Sequence, residues 1–315
     1  MKSVFAAHPE KSGAPSRPFS SSVVPTRPPS QYRASFWTTA VSLARILPAR
    51  LLNALATITS IGYAKITPIR REIVTQNLLP VLDGNWKAAA IVAQRTFRNF
   101  GQKLADLWRF EANQPIAHLF HTLNGWEHLQ SAQAQGRGIL LVTIHLGNWE
   151  FGAPLLTQRG VALHVITAPE PDPRLTVVRQ AARARWGIET IALGDGPFAA
   201  VEIIRRLATN AAVALLLDRP TEGGAVAVQF FGRTLMASSA AADLARATGA
   251  ALLPVYLVRD PQGYRAEILR EVPYERAELR DAGVRLALTQ RLMTTFEPAV
   301  RAHPDQWYHF VPIWT

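Results

Sequence analysis

The chain contains no cysteine in 315 residues. A disulfide framework, a thiolate-bound metal and a cysteine nucleophile are therefore excluded. Nothing in the sequence marks an oxidising compartment. Acidic residues are scarce: 23 Asp and Glu stand against 34 Lys and Arg, a formal charge of +11. Such a balance suits nucleic acid, an anionic membrane surface or an acidic protein partner. Only 18% of residues are charged, too few for a histone-like tail binder. No basic–aromatic RNA motif and no zinc-finger spacing is present, so nucleic acid is set aside. Long apolar runs are also missing. The longest charge-free piece of segment 35–64 is residues 51–64, 14 in number, against the ~20 that a spanning helix needs. The opening residues hold no unbroken apolar run with a cleavage site, so no secretory signal is expected.

What is present divides the chain into three parts. Residues 1–34 carry six prolines, seven serines and five basic residues against Glu10. A segment of that composition cannot bury enough apolar surface to offset chain entropy, and a disordered basic arm is expected. Residues 35–125 read as helical. Their first stretch, 35–64, is apolar and aromatic but broken by Arg45, Pro48 and Arg50. Two readings of it stay open. It is a kinked helix pair lying in a membrane interface, or an amphipathic helix packed on its own domain. Residues 88–110 carry apolar side chains at helical spacing, with Gly101 as a local weak point. Residues 126–315 alternate short apolar runs with helical stretches. Strands are expected at 139–144, 162–166, 189–192, 213–217, 226–231 and 252–258. Helices are expected at 149–158, 173–186, 198–209, 238–248 and 282–301. Near-continuous apolar strands separated by helices predict an α/β domain with a mostly parallel sheet flanked by helices.

In open α/β sheets the chemistry sits beyond the carboxyl ends of the strands. The run Gly138-Ile-Leu-Leu-Val-Thr-Ile ends at His145, and Glu150 follows five residues later. On one helix these two would lie ~140° apart. They converge only across a strand–loop–helix turn, where a carboxylate could hold one imidazole nitrogen and leave the other as a base. Asn148 is a candidate helix cap and Trp149 a candidate pocket wall. A second strand, residues 213–217, ends in Asp218-Arg219-Pro220. Asp218 joins His145 if the two strands are neighbours; otherwise it is a turn residue. Between these strands Arg179 and Arg183 share a helical face, with Gly187 at the helix end. Either arginine, or Arg185, could meet a phosphate or a developing negative charge. Too few ligands surround His145 for a metal site, His164 being the nearest other histidine on a strand.

These blocks resemble a known family. GRGILLVTIHLGNWE is similar to the active-site block of the lipid A late acyltransferases, the lauroyl and myristoyl acyltransferases of the bacterial inner membrane. That family also includes the acyltransferases of mycobacterial phosphatidylinositol mannosides, and belongs to the glycerolipid acyltransferase superfamily with its His-x4-Asp/Glu mark. Further similar blocks follow in order: Arg71 through Asn77-Leu78, Arg183-Ala-Arg-Trp-Gly187, Leu217-Asp218-Arg-Pro, Phe230-Phe231-Gly232, and His303-Pro-Asp-Gln-Trp307-Tyr308. The resemblance implies a glycerolipid-acyltransferase-like fold on a membrane-associating N-terminal section. It implies transfer of an acyl chain from a thioester to a hydroxyl of a lipid A-type or related glycolipid, with no covalent acyl-enzyme. In that scheme His145 is the general base, Glu150 orients it, and Arg183 and Asp218 complete the catalytic set. Asn148, Trp149, Arg185 and Arg219 are the expected substrate contacts. No cofactor or metal is implied beyond acyl carrier protein or coenzyme A as donor. The expected place is the cytoplasmic face of the bacterial inner membrane, against anionic lipid. Two alternatives remain. A lysophospholipid or glycerol-phosphate acyltransferase would carry Asp where Glu150 stands and a Phe-Pro-Glu-Gly-Thr-Arg block. A non-catalytic lipid-binding protein would not need a held imidazole.

Overall fold

The computed structural model describes residues 33–193, 198–220 and 224–315. The proline-rich arm lies outside the described residues apart from Arg33 and Ala34. Four helices open the chain: α1 (Ala34–Ile46), α2 (Ala49–Ile66), α3 (Pro68–Leu78) and α4 (Trp86–Glu111). Then come β1 (Phe120–Asn124), α5 (Trp126–Ala134), β2 (Ile139–Thr143), α6 (Trp149–Thr157), β3 (Leu163–Thr167), α7 (Pro173–Ala184), β4 (Ile188–Ala192), α8 (Phe198–Ala208) and β5 (Ala212–Leu216). The chain closes with β6 (Ala225–Phe230), β7 (Arg233–Ser238), α9 (Ala240–Thr248), β8 (Ala251–Asp260), β9 (Gly263–Ile268), α10 (Ala282–Thr294) and α11 (Glu297–Ala302).

Seven strands form one sheet in the order β1-β9-β8-β2-β5-β3-β4. The run β8-β2-β5-β3-β4 is parallel, and β9 pairs antiparallel with β8. Every residue of β2 is buried, as a central strand covered on both faces requires. The α/β architecture with a mostly parallel sheet is thus the one the apolar runs predict.

Several details differ from expectation. Residues 226–231 do form a strand, but β6 pairs only with β7, in a separate two-stranded sheet. Phe231 and Gly232 both have positive φ, 49° and 68°, the conformation of a tight two-residue hairpin. β1 falls inside the section 35–125 that reads as helical, so that section ends in a strand. The strand β9 is not among the expected ones either. Its signal is Asp260-Pro-Gln-Gly263: the Asp260 carboxylate accepts from the N–H groups of Gln262 (2.9 Å) and Gly263 (3.1 Å) and closes the turn. The helix expected over 282–301 is two helices. Pro298 falls in the first turn of α11, where a missing N–H is tolerated, whereas inside one long helix it would break a hydrogen bond.

At the N-terminus Pro48 separates α1 from α2, as the kink reading expects. Trp37, Ala40, Val41 and Ala44 form the buried stripe of α1, and Trp37 packs edge-on against Trp108 of α4. Phe36, Leu43, Ile46, Leu51, Leu55 and Ile58 are exposed. No helix among the described residues is long and apolar enough to cross a membrane. Gly101 is not a weak point of α4. It is a point of close approach to α2, since a Cβ there would lie 2.6 Å from the Ala56 carbonyl oxygen.

One glycine sets the position of the β2–α6 loop. Gly147 has φ +64°, and a Cβ there would stand 1.8 Å from the carbonyl oxygen of Leu257 on β8. Its N–H donates to the Gln306 carbonyl at 2.8 Å. Replacing Gly147 by alanine should cost about 2 kcal/mol or more, through backbone strain and displacement of β8. Urea unfolding measures this, and a loss under about 0.5 kcal/mol would contradict the packing described.

Candidate active site

The register of two central strands brings the first pair together. Thr143 of β2 stands opposite Leu216 of β5. Two residues further along each strand are His145 and Asp218. The Asp218 carboxylate is buried and takes four hydrogen bonds. Oδ1 accepts from Nδ1 of His145 at 2.7 Å. Oδ2 accepts from the His145 backbone N–H (2.9 Å), the Trp307 indole N–H (3.2 Å) and Nε2 of His309 (2.7 Å). The C-terminal segment reaches the site by pairing with the same loop: Tyr308 N–H donates to the His145 carbonyl at 2.9 Å.

This arrangement fixes a tautomer. With Nδ1 donating to a carboxylate, Nε2 of His145 carries the lone pair. Burial is the largest influence on the imidazole and brings its pKa down to about 4, against the pull of Asp218. The base is therefore neutral at physiological pH. Burial alone would raise Asp218, but the attraction of His145 and His309 outweighs it and holds the carboxyl well below its usual range. His145, Asp218 and His309 offer ligand atoms within 4.8 Å of one another. Their 2.7 Å separations are hydrogen-bond lengths, however, and a metal would need bonds of ~2.0–2.2 Å to each and a rearranged cluster.

Glu150 does not hold His145; Asp218 does. Glu150 sits in the first turn of α6 and faces α7, where Arg179 grips both its oxygens and Arg183 donates at 3.2 Å. Burial disfavours its charge, but Arg179, Arg183 and Lys103 together bring its pKa down to about 2. Arg179 also meets Glu170 and Glu111. Its guanidinium lies 4.9 Å from the centre of the Trp37 ring, and the Trp37 indole N–H donates to Glu111. One arginine thus ties α1, α4, α6 and α7 together.

A cavity of about 740 Å³ opens over these groups. His145, Trp149, Glu150, Arg183, Arg219 and Lys103 are among the residues lining it. A narrower cavity of about 120 Å³ continues beneath α6 along the sheet, walled by apolar side chains such as Leu141, Leu156, Leu163, Val255 and Ile268. Trp149, Glu150, Thr167 and Arg183 line both, so the two spaces adjoin there. Trp149 stands edge-on to His145 with ring centres 4.8 Å apart.

Of the expected substrate contacts, Trp149 and Arg219 line the larger cavity, and Arg219 also donates to the Tyr308 carbonyl at 2.7 Å. Asn148 does not reach either space. It is buried, its side chain donating to the Tyr264 hydroxyl at 3.3 Å, and it makes no side-chain cap on α6. Arg185 is turned away as well: it donates to the Glu111 carbonyl at the end of α4. Of Arg183 and Arg185, Arg183 is thus the one that lines the cavity. Lys103, Trp37 and His309 carry no sequence signal for their places here. They arrive from distant parts of the chain, and no local spacing marks them.

Replacing Glu150 by glutamine should cost about 3 kcal/mol in urea unfolding, because Arg179 and Arg183 then share a buried site short of one negative charge. A loss below about 1 kcal/mol would show that the cluster is not organised by that charge. By NMR titration His145 should protonate near pH 4 rather than at the ordinary 6.5. In the Asp218→Asn variant its pKa should fall further, since Asp218 is what raises it. The depressed value means that stability is full above about pH 6.5 and declines as pH falls towards 4. A normal histidine pKa would contradict the buried pair.

The sequence profile described as bacterial lipid A biosynthesis acyltransferase matches residues 24–315. The phosphatidylinositol mannoside acyltransferase of Mycobacterium tuberculosis is 30% identical over 197 residues, 62% of this chain and 60% of its own length. That of Mycolicibacterium smegmatis is 29% identical over 192 residues, 60% of each chain. The match therefore spans about three-fifths of these curated relatives. With every described residue under that profile, the chain belongs to the bacterial lipid A biosynthesis acyltransferase family.

Proposed function

We propose that the protein is an O-acyltransferase that moves a fatty acyl chain from a thioester donor to a hydroxyl of a glycolipid. The single observation that carries this is the Asp218-held imidazole of His145 at a large cavity of mixed lining, beside an apolar slot. The reading assigns the slot to the acyl chain and the larger space to the acceptor head group. The acceptor hydroxyl gives its proton to Nε2 of His145 as its oxygen bonds to the thioester carbon. Asp218 stabilises the imidazolium that results. The carbon–sulfur bond then breaks, and the thiolate takes the proton from His145. The protein has no cysteine to form a thioester intermediate, and the step needs none. Arg183 and Glu150 shape the junction where the two cavities adjoin.

The relatives' names point to mannosylated phosphoinositides, and the family description to lipid A; the shared chemistry is a saccharide hydroxyl on a membrane lipid. Acyl carrier protein and coenzyme A are both anionic, and both suit a chain of charge +11. The exposed Leu43, Ile46, Leu51, Leu55 and Ile58, with Arg45 and Arg50 beside them, suit a peripheral seat on anionic lipid at the cytoplasmic face of an inner membrane.

Acyl thioesters of both carriers, in several chain lengths, should yield an acylated glycolipid when supplied with vesicles of bacterial total lipid. Mass spectrometry identifies the product. His145→Ala should lower the rate at least ~10³-fold. No acylated lipid with any donor would overturn the reading, and an active His145→Ala would overturn the mechanism.

A further inference from the structure

Lys103 occupies a place where a lysine is costly. It is 5% exposed on α4. No carboxylate lies within ion-pair distance of its amine among the described residues. Its Nζ lies 3.0 Å from the centre of the Trp149 ring, with the rings of Tyr308 and Phe100 at 5.3 and 5.7 Å. Burial pulls its pKa well below the usual lysine value; Glu150 opposes this, while Arg179 and Arg219 add to it. A buried charge without a paired carboxylate is destabilising, and an apolar side chain of the same length would build the wall better. The amine also lines the larger cavity together with His145.

Position gives this amine a use. Trp149 touches both Lys103 and His145, and it lines the junction of the two cavities. On the acyl-transfer reading, the thioester carbonyl must stand at that junction. Negative charge gathers on its oxygen as the tetrahedral centre forms, and an amine fixed in a water-poor site donates to that oxygen, gaining most in the charged form that the oxyanion favours. The neighbouring cations are already committed. Arg179 and Arg183 hold Glu150, and Arg219 donates to the Tyr308 carbonyl. Lys103 alone among these four has no hydrogen-bond or ion-pair partner among the described residues.

We propose that Lys103 is a further catalytic residue of this site, donating from Nζ to the thioester carbonyl oxygen and stabilising the oxyanion of the tetrahedral intermediate. The inference rests on the acyl-transfer reading above. The acceptor oxygen bonds to carbon while its proton passes to His145. The carbonyl π pair becomes the oxyanion held by Lys103, then re-forms the double bond as the carbon–sulfur bond breaks and the thiolate takes the proton from His145.

The test uses the full chain on vesicles of bacterial total lipid, with acyl-coenzyme A and acyl-acyl carrier protein of the preferred length. Lys103→Met should lower kcat by ~10²- to 10³-fold, with KM for the donor changed less than about threefold. Its melting temperature should equal or exceed that of the unsubstituted protein, because a buried unpaired charge is gone. Lys103→Arg keeps a cation in the cage and should recover at least a tenfold share of the lost kcat. A Lys103→Met protein with kcat within threefold of normal would overturn the proposal. So would a defect confined to donor KM, which would mean ground-state anion binding, or a fall in melting temperature that Lys103→Arg repairs along with activity. His145→Ala, run in parallel, separates the two levels. If that variant is inactive while Lys103→Met is active, only the role of Lys103 fails. If the unsubstituted protein transfers no acyl group from any donor, the acyl-transfer reading fails and this role with it.

Discussion

A single buried carboxylate organises the site. Asp218, which follows β5, accepts four hydrogen bonds from two other parts of the chain: the His145 loop after β2, and Trp307 and His309 near the C-terminus. An ionised group so far from water must be paired and fully hydrogen-bonded, or it would take up a proton. Satisfying it requires β2 and β5 to be neighbours in register and requires the last dozen residues to fold back against the β2–α6 loop. The imidazole geometry is then a by-product of solvating Asp218. The close approach of Gly147 to β8 closes the same loop from the other side.

Arg179 plays the corresponding part for the helices. It faces Glu111, Glu150 and Glu170, and three carboxylates raise its already high pKa despite burial. A cluster of this kind is weak evidence of net stability, because desolvation takes back much of the Coulomb gain. Its clearer effect is positional. It holds α6 against α7 and, through Trp37 and Glu111, anchors α1 to the wall of the larger cavity. The helix that carries exposed apolar residues on one side is thus part of the active-site wall on the other.

Strands β2, β5 and β8 are legible because each holds a run of four or more apolar residues, as in Ile139–Thr143; β1, with His121 and Thr122 inside it, lacks that signal. Strand β9 was harder. Its alternation over Gly263–Ile268 includes Arg265 and Glu267, which read as loop until the antiparallel partner β8 is known. The break between α10 and α11 follows from Pro298, which the apolar spacing of 282–301 masks. At the site, strand ends marked His145 and Asp218, but local spacing favoured the wrong partner. Five residues separate His145 from Glu150, whereas 73 separate it from Asp218. Sequence proximity says which carboxylate is near in the chain, not which one the sheet register places opposite. Asn148 was misread for a related reason: it follows the strand end as a site residue would, yet the turn points it at Tyr264.

What the sequence determined by itself was the layer architecture, the strand ends where chemistry gathers, and the absence of any cysteine-based route. These follow from local composition, since burial on both faces demands continuous apolar runs. What only the tertiary structure decided was pairing: Asp218 rather than Glu150 for His145, Arg183 rather than Arg185 at the cavity, and Lys103 beneath Trp149. Those outcomes depend on the register and crossing of elements far apart in the chain. Electrostatic and hydrogen-bond energies change over a few ångströms, a scale that is set by packing and not by sequence spacing.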